Sequence, residues 1–212
     1  MRNDADLYKR GSATLLASWA EYARGAIGAS LQRYAAVAVA VFPNEPERRV
    51  YNNALFERHL SNRARTDAVD AMEAAYAAAG VDRFAAWAHE SDREMRDDLE
   101  RWGYTLDTTT RAMAMSLDGI LAPPPQIDLP PPDDLDGDCG IYNVGTLEHA
   151  RRRGLATALT AIQLHDARAR GCETASLQAT QTAERLYAGI GFRDLGRILE
   201  YIPPHGRALG GS

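Results

Sequence analysis

The chain has 212 residues, 45% of them hydrophobic and 25% charged, with a net charge of −5. Such a composition excludes a disordered polymer and leaves room for one large globular domain or two small ones. No run approaches the ~20 apolar residues that span a bilayer, and the acidic excess argues against a broad nucleic-acid face. Lys9 is the only lysine, which together with the abundant alanine reads as genome composition. Cys139 and Cys172 fit no metal-ligand or disulfide spacing. The N-terminus does not read as a secretory signal, so the expected location is the cytoplasm.

In chain order, helical spacing covers Ala13 to Ile27 through Leu15, Leu16, Trp19 and Ala23. The apolar run Ala35 to Phe42 predicts a buried strand, and a second strand is expected near Val50. A helix with Ala68, Met72, Ala75, Tyr76 and Ala79 on one face should stop at Gly80. Arg83 to His89 reads as a strand. Ser91-x-x-Glu94 reads as the capping box of a helix that turns Met95, Leu99 and Trp102 inward and ends at Gly103. A strand over Thr108 to Met115 closes this part.

Ala122 to Asp138 holds six of the ten prolines and five aspartates. Proline withholds backbone donors and the acids repel, so an extended linker is expected. Beyond it come a strand over Gly140 to Leu147 and a helix with Leu155, Leu159, Ile162 and Ala167 near one face, stopped by Gly171. A strand over Thr174 to Ala179, a helix over Thr182 to Ile190 and a strand through Leu195, Ile198 and Tyr201 complete the chain. The alternation is that of an α/β layer structure, with mixed sheets flanked by helices. The two parts also overlay at a constant offset: Tyr51-Asn52 falls on Tyr142-Asn143, Glu57 on Glu148, Thr66 on Thr157 and Gly80 on Gly171. Either a divergent internal duplication or shared punctuation of two α/β units accounts for this.

Arg151-Arg152-Arg153-Gly154-Leu155-Ala156-Thr157 lies between a predicted strand and a predicted helix. Free N–H groups at a helix start attract anions, with roughly 0.3–1 kcal/mol from the dipole in exposed settings. Gly154 and Ala156 keep side chains out of the approach, and the arginines add charge-assisted contacts. A phosphate or pyrophosphate site is one reading; a solvated basic helix start is the other. The chain has no Gly-Lys-Ser/Thr loop and no Gly-x-Gly-x-x-Gly turn, which weakens a nucleotide-binding alternative.

Strand, then Arg151-x-x-Gly154-x-Ala156, then helix resembles the acetyl-CoA motif of the GNAT superfamily of N-acetyltransferases. Leu177-Gln178-Ala179-Thr180, Glu184-Arg185-Leu186-Tyr187 and Gly191-Phe192 follow in the order that family shows. The resemblance covers Gly140 to Pro203 well and the first part in outline. It implies that backbone groups of Val144, Gly145 and Thr146 hold the pantetheine arm and acetyl carbonyl. It places Arg152, Arg153, Gly154, Leu155, Ala156 and Thr157 around the pyrophosphate. Thr180 stands where the family often has a cofactor-contacting asparagine, and Tyr187 matches the tyrosine that protonates the departing thiolate. It implies no metal.

The resemblance thus implies two GNAT-like lobes: a degenerate first lobe over 1–121, a linker over 122–138 and a cofactor lobe over 139–212. Arg63 and Arg65 overlay Gly154 and Ala156, so the first lobe would obstruct a cofactor. The second lacks the strand, two helices and two strands that precede the phosphate loop in the family; the first lobe or a second copy would fill that space. Unpaired edges there favour lobe packing or a homodimer. The implied activity is acetyl transfer from acetyl-CoA to a primary amine on a small molecule or protein. The alternative is an inactive cofactor-binding or regulatory protein. The base is unmarked: Glu148 stands where the family often has proline, Glu148 and His149 read as solvent-facing, and Tyr142 is a further candidate. His59, His89, His165 and His205 read as structural or exposed.

Overall fold

The computed structural model describes residues 2–45, 51–120 and 137–204. Val50, residues 122–136 of the expected linker and His205 lie outside the described residues. The fold is mixed α/β, with five α-helices and eight strands among the described residues. Its contacts form two units, Ser18–Thr110 with Arg197–Ser212, and Met1–Ala17 with Arg111–Gly196. Three elements begin in one unit and end in the other: α1 (Asp4–Arg24), β5 (Thr105–Ser116) and β8 (Arg193–Ile202).

In the first unit, β1 (Ser30–Arg33) pairs antiparallel with β2 (Val37–Val41), and β2 with β3 (Asn53–Phe56). β3 runs parallel to β4 (Ala85–His89), which pairs antiparallel with β8. The run that predicted a buried strand is buried at every position of β2. Alternation sends Val37, Val39 and Val41 into the main core with Ala54, Phe56, Ala86, Ala88, Leu199 and Tyr201. The helices α2 (Asn62–Ala78) and α3 (Arg93–Arg101) supply Ala68, Val69, Met72, Tyr76, Met95 and Leu99 to that core. On the strands' opposite face Trp87 meets Trp19 edge-on at 5.3 Å.

Ser61 caps α2 by accepting from the Ala64 N–H, and Tyr76 donates to the Ala40 carbonyl at 3.2 Å. The cap of α3 is Asp92, whose carboxylate accepts from the Met95 N–H. Ser91 was expected there. Its hydroxyl instead meets His89 Nδ1 at 2.8 Å, so the helix starts one residue later.

In the second unit β7 (Thr174–Ala179) is flanked by β5, antiparallel from Arg111↔Ala179 to Ser116↔Thr174, and by β6 (Asp138–Gly140), parallel. Helices α4 (Leu155–Ala169) and α5 (Glu184–Ile190) pack Leu164, Ala167 and Tyr187 against Met113, Ala175 and Leu177. The first half of α1 joins this unit through a buried carboxylate. Asp138, 1% exposed, accepts hydrogen bonds from Thr14 (2.8 Å), Thr174 (2.5 Å) and Ser176 (2.6 Å). A Cβ on Gly11 would lie 2.9 Å from Ser176 Cβ, so glycine permits this approach of α1 to β7.

Two expectations change here. The strand expected over Gly140–Leu147 is β6, which ends at Gly140. Of the face expected from Leu155, Leu159, Ile162 and Ala167, only Ala167 is buried; the other three are 49%, 48% and 65% exposed, and Thr160 and Leu164 pack inward in their place.

The order of elements repeats. β3-α2-β4-α3 and β6-α4-β7-α5 are each a parallel strand pair joined by a helix and followed by a second helix. An antiparallel strand then lies beside the second strand of each pair, but it comes from the other half: β8 beside β4, and β5 beside β7. These units cut across the boundaries expected at 121 and 139. The first half of α1 and the second half of β5 belong to the same unit as β6, α4, β7 and α5.

Candidate cofactor site

The ladder between β6 and β7 ends at Gly140↔Ser176, with one further bond from the Ile141 N–H to the Ser176 carbonyl at 2.9 Å. The backbone then leaves β7, with Asn143 at φ 57°. Tyr142 folds back over Gly140, where any Cβ would run into the ring. Among the described residues no backbone hydrogen bond engages Val144 or Gly145, and the Thr146 carbonyl accepts from Arg151 Nε at 3.2 Å. Val144, Gly145 and Thr146 therefore present open main chain on a stretch parted from its neighbour strand. That is where amide groups of a ligand can take the ladder's place.

A short 3-10 turn, Glu148–Ala150, leads into the arginine loop. Arg152 has φ 60° and Gly154 φ 77°, two left-handed residues flanking Arg153. Such alternation turns successive N–H groups to one side, as in anion-binding nests. Gly154 is the N-cap of α4 and offers no side-chain cap, so the N–H groups of Leu155, Ala156 and Thr157 stay available. Among the described residues nothing lies within 4 Å of the place a Gly154 Cβ would occupy. Arg152, Arg153 and Thr157 are exposed and Ala156 is half-buried. The donor set fits a phosphate group.

The equivalent start of α2 is built oppositely. Ser61 caps it, and Arg65, 6% exposed, bonds Asp98 through Nε at 2.6 Å, Glu94 at 2.5 Å and the Leu60 carbonyl at 2.8 Å. Its hydrogen bond to Asp98 and the nearby acids raise the guanidinium pKa further, against burial. Burial works against ionised Asp98, yet the hydrogen bonds from Arg65 and Arg101 hold its carboxyl below the usual range. A guanidinium thus fills the N-terminal region that α4 leaves open.

Tyr187 is buried on α5, with its ring edge-on to Phe192 at 5.8 Å. Gly191 caps the helix at φ 118°, and the N–H groups of Gly191 and Phe192 both bond the Tyr187 carbonyl. The Tyr-x3-Gly-Phe spacing is therefore a helix stop that returns Phe192 to Tyr187. Burial raises the phenol's pKa, so Tyr187 holds its proton at neutral pH. Thr180 closes β7; its hydroxyl meets that of Thr182 at 3.1 Å and its carbonyl accepts from the Ala183 and Glu184 N–H groups.

Glu148 and His149 are exposed on the 3-10 turn, and His89 is buried against Ser91. Sequence reasoning passed over Asp138, assigned to the linker, and Arg65's internal ion pairs. For the latter, the matching acids Glu94 and Asp98 on α3 were the available signal. Among the described residues no group of three or more His, Cys, Asp or Glu is placed to hold a metal. Nor is any helix long and apolar enough to cross a membrane.

Residues 126–192 match the model of the Acetyltransferase (GNAT) family. No curated protein matches the chain in sequence. A GCN5-related N-acetyltransferase from Kribbella flavida is similar in structure, with a TM-score of 0.68 at 17% identity over 94% of this chain and 96% of that one. A functionally unknown conserved protein from Staphylococcus epidermidis ATCC 12228 gives 0.53 at 11% identity, over 84% and 94% of the two chains. A GCN5-related N-acetyltransferase from Sphaerobacter thermophilus gives 0.52 at 16% identity, over 86% and 84%. Residues 126–192 are thus similar to the GNAT family, in a chain whose mixed α/β fold matches that of the Kribbella flavida GCN5-related N-acetyltransferase.

Proposed function

We propose that the protein is an acetyl-CoA-dependent N-acetyltransferase with one cofactor site, acting on a primary amine of a small molecule or protein in the cytoplasm. The observation that carries this reading is the uncapped start of α4 behind two left-handed residues, beside the open backbone of Val144 to Thr146. Arg152, Arg153, Gly154, Leu155, Ala156 and Thr157 would hold the pyrophosphate, and Val144, Gly145 and Thr146 the pantetheine arm. Acetyl-CoA supplies a thioester whose carbonyl accepts an amine and whose sulfur departs as thiolate. The chain's part is to bind, to offer a backbone donor near Thr146 to the developing oxyanion, and to return a proton from Tyr187. A phenol near pKa ~10 or above keeps that proton until a thiolate needs it. The repeated element order supports a tandem origin in which the first copy lost its cofactor loop to Arg65.

Calorimetry with acetyl-CoA on the wild type and on Gly154→Asp tests the proposal. One site per chain and loss of binding in the variant are expected; no binding by the wild type at millimolar cofactor sinks it. Binding without thiol release across a broad amine panel would leave a binding module. Turnover that falls in Tyr187→Phe would exclude that module.

A further inference from the structure

Outside the cofactor site, one face of the first unit carries two unmet polar needs side by side. Glu200 on β8 is the cross-strand partner of Trp87 on β4, so the two side chains share a face. Trp87 is 9% exposed, and its buried indole Nε1–H finds no acceptor among the described residues. A buried donor left in this state is uncommon, because it forfeits its hydrogen bond to water. Glu200 is half-buried, and among the described residues no arginine or lysine bridges its carboxylate. Burial, with the Asp107 carboxylate adding and the Thr110 hydroxyl opposing, pushes its pKa up to about 7. A carboxylate short of a counter-charge therefore lies beside a donor short of an acceptor.

We infer that Glu200 and Trp87 form a binding site for a small organic ammonium ion that carries an oxygen acceptor close to its nitrogen. The ammonium pairs with the Glu200 carboxylate and the oxygen accepts from Trp87 Nε1–H. Facing residues on adjacent strands bring their Cβ atoms to about 5 Å, so one small molecule can engage both side chains. Asp107 adds negative potential on the approach. Trp19, edge-on to Trp87, fixes the indole plane from α1. Two paired strands and a helix thus hold both groups in place. The site is independent of the cofactor reading and stands or falls without it.

The test uses the full chain labelled with nitrogen-15 and ethanolamine as probe. The chain has three tryptophans, Trp19, Trp87 and Trp102, so the indole region is simple, and Trp87→Phe assigns its resonance. Ethanolamine should move the Trp87 indole signal saturably. Propylamine, which lacks the oxygen, and ethylene glycol, which lacks the charge, should each bind about tenfold weaker. Glu200→Gln should weaken ethanolamine by about tenfold or more while the other two indole signals keep their positions. If that variant does not fold, Trp87→Phe serves instead: saturation transfer to ethanolamine should drop sharply. A Trp87 signal that ethanolamine leaves unmoved overturns the inference. So does an equal midpoint in Glu200→Gln, equal binding of propylamine, or undiminished transfer in Trp87→Phe.

Discussion

Thr14 donates to Asp138 at 2.8 Å across 124 residues of chain, and the same carboxylate accepts from Thr174 and Ser176. Three hydroxyls around one buried carboxylate tie α1 to both strands of the parallel pair. Asp138→Ala would leave all three donors without an acceptor and should cost about 3–5 kcal/mol in urea unfolding. Thr14→Val removes a single donor and should cost about 1 kcal/mol. A loss for Asp138→Ala no larger than for Thr14→Val would show that the carboxylate does not organise this junction.

Glu200 gives a pH dependence whose sign follows from its raised pKa. The carboxyl moves from 4.5 to about 7 on folding, so the native state binds the extra proton between these values. The stability of the protonated form is complete below about pH 4.5 and lost as pH rises through about 7. Glu200→Gln should therefore exceed the wild type in stability by something on the order of 1–3 kcal/mol near pH 8, and by much less near pH 5. Chemical denaturation at the two pH values measures it; a constant difference would mean that Glu200 titrates normally.

Arg65→Met leaves Asp98 buried without its main partner and should destabilise by about 3–5 kcal/mol at neutral pH. Asp98 has its carboxyl depressed, so its contribution is present above the ordinary carboxyl value and fades as pH falls through the lowered one. The penalty of Arg65→Met should accordingly shrink in acid. Calorimetric titration of the same variant should still show one acetyl-CoA per chain, because the Ser61 cap remains.

The proton donor proposed at Tyr187 and the helix stop at Gly191 can be tested separately. Tyr187→Phe keeps the ring contact with Phe192 and should leave stability within about 1 kcal/mol, while acetyl transfer falls by about 10²–10⁴. Gly191→Ala forces a side chain into φ 118° and should cost about 1–2 kcal/mol or more. Steady-state thiol release and thermal unfolding, measured on both variants, tell the roles apart.

The α/β class, the buried β2, the start of α4 at Gly154 and the helix stop at Gly191 were legible because each rests on local signals. The inward face of α4 was not. Its alanines give weak contrast, and Thr160 joins Leu164 on the packed side while Leu155 and Leu159 project outward. β1 is short and polar, with nothing in Ser-Leu-Gln-Arg to distinguish it from a loop. Strand partnership was illegible for a deeper reason: alternation says which face a residue takes, not which strand lies beside it. Asp138 looked like one more linker acid because its three hydroxyl donors come from distant sequence.

The exchange of final strands has a consequence for how such a chain can be inherited. A gene fragment ending at the prolines would carry β5 without β7, and its complement would carry β8 without β4. Neither fragment encodes a completed sheet, so expressed separately each should remain unfolded or aggregate, and mixing them should restore a dispersed spectrum. Recombination can then move this protein only whole. Any ancestor with a single copy would have had to pair its last strand with its own neighbours or with a twin chain.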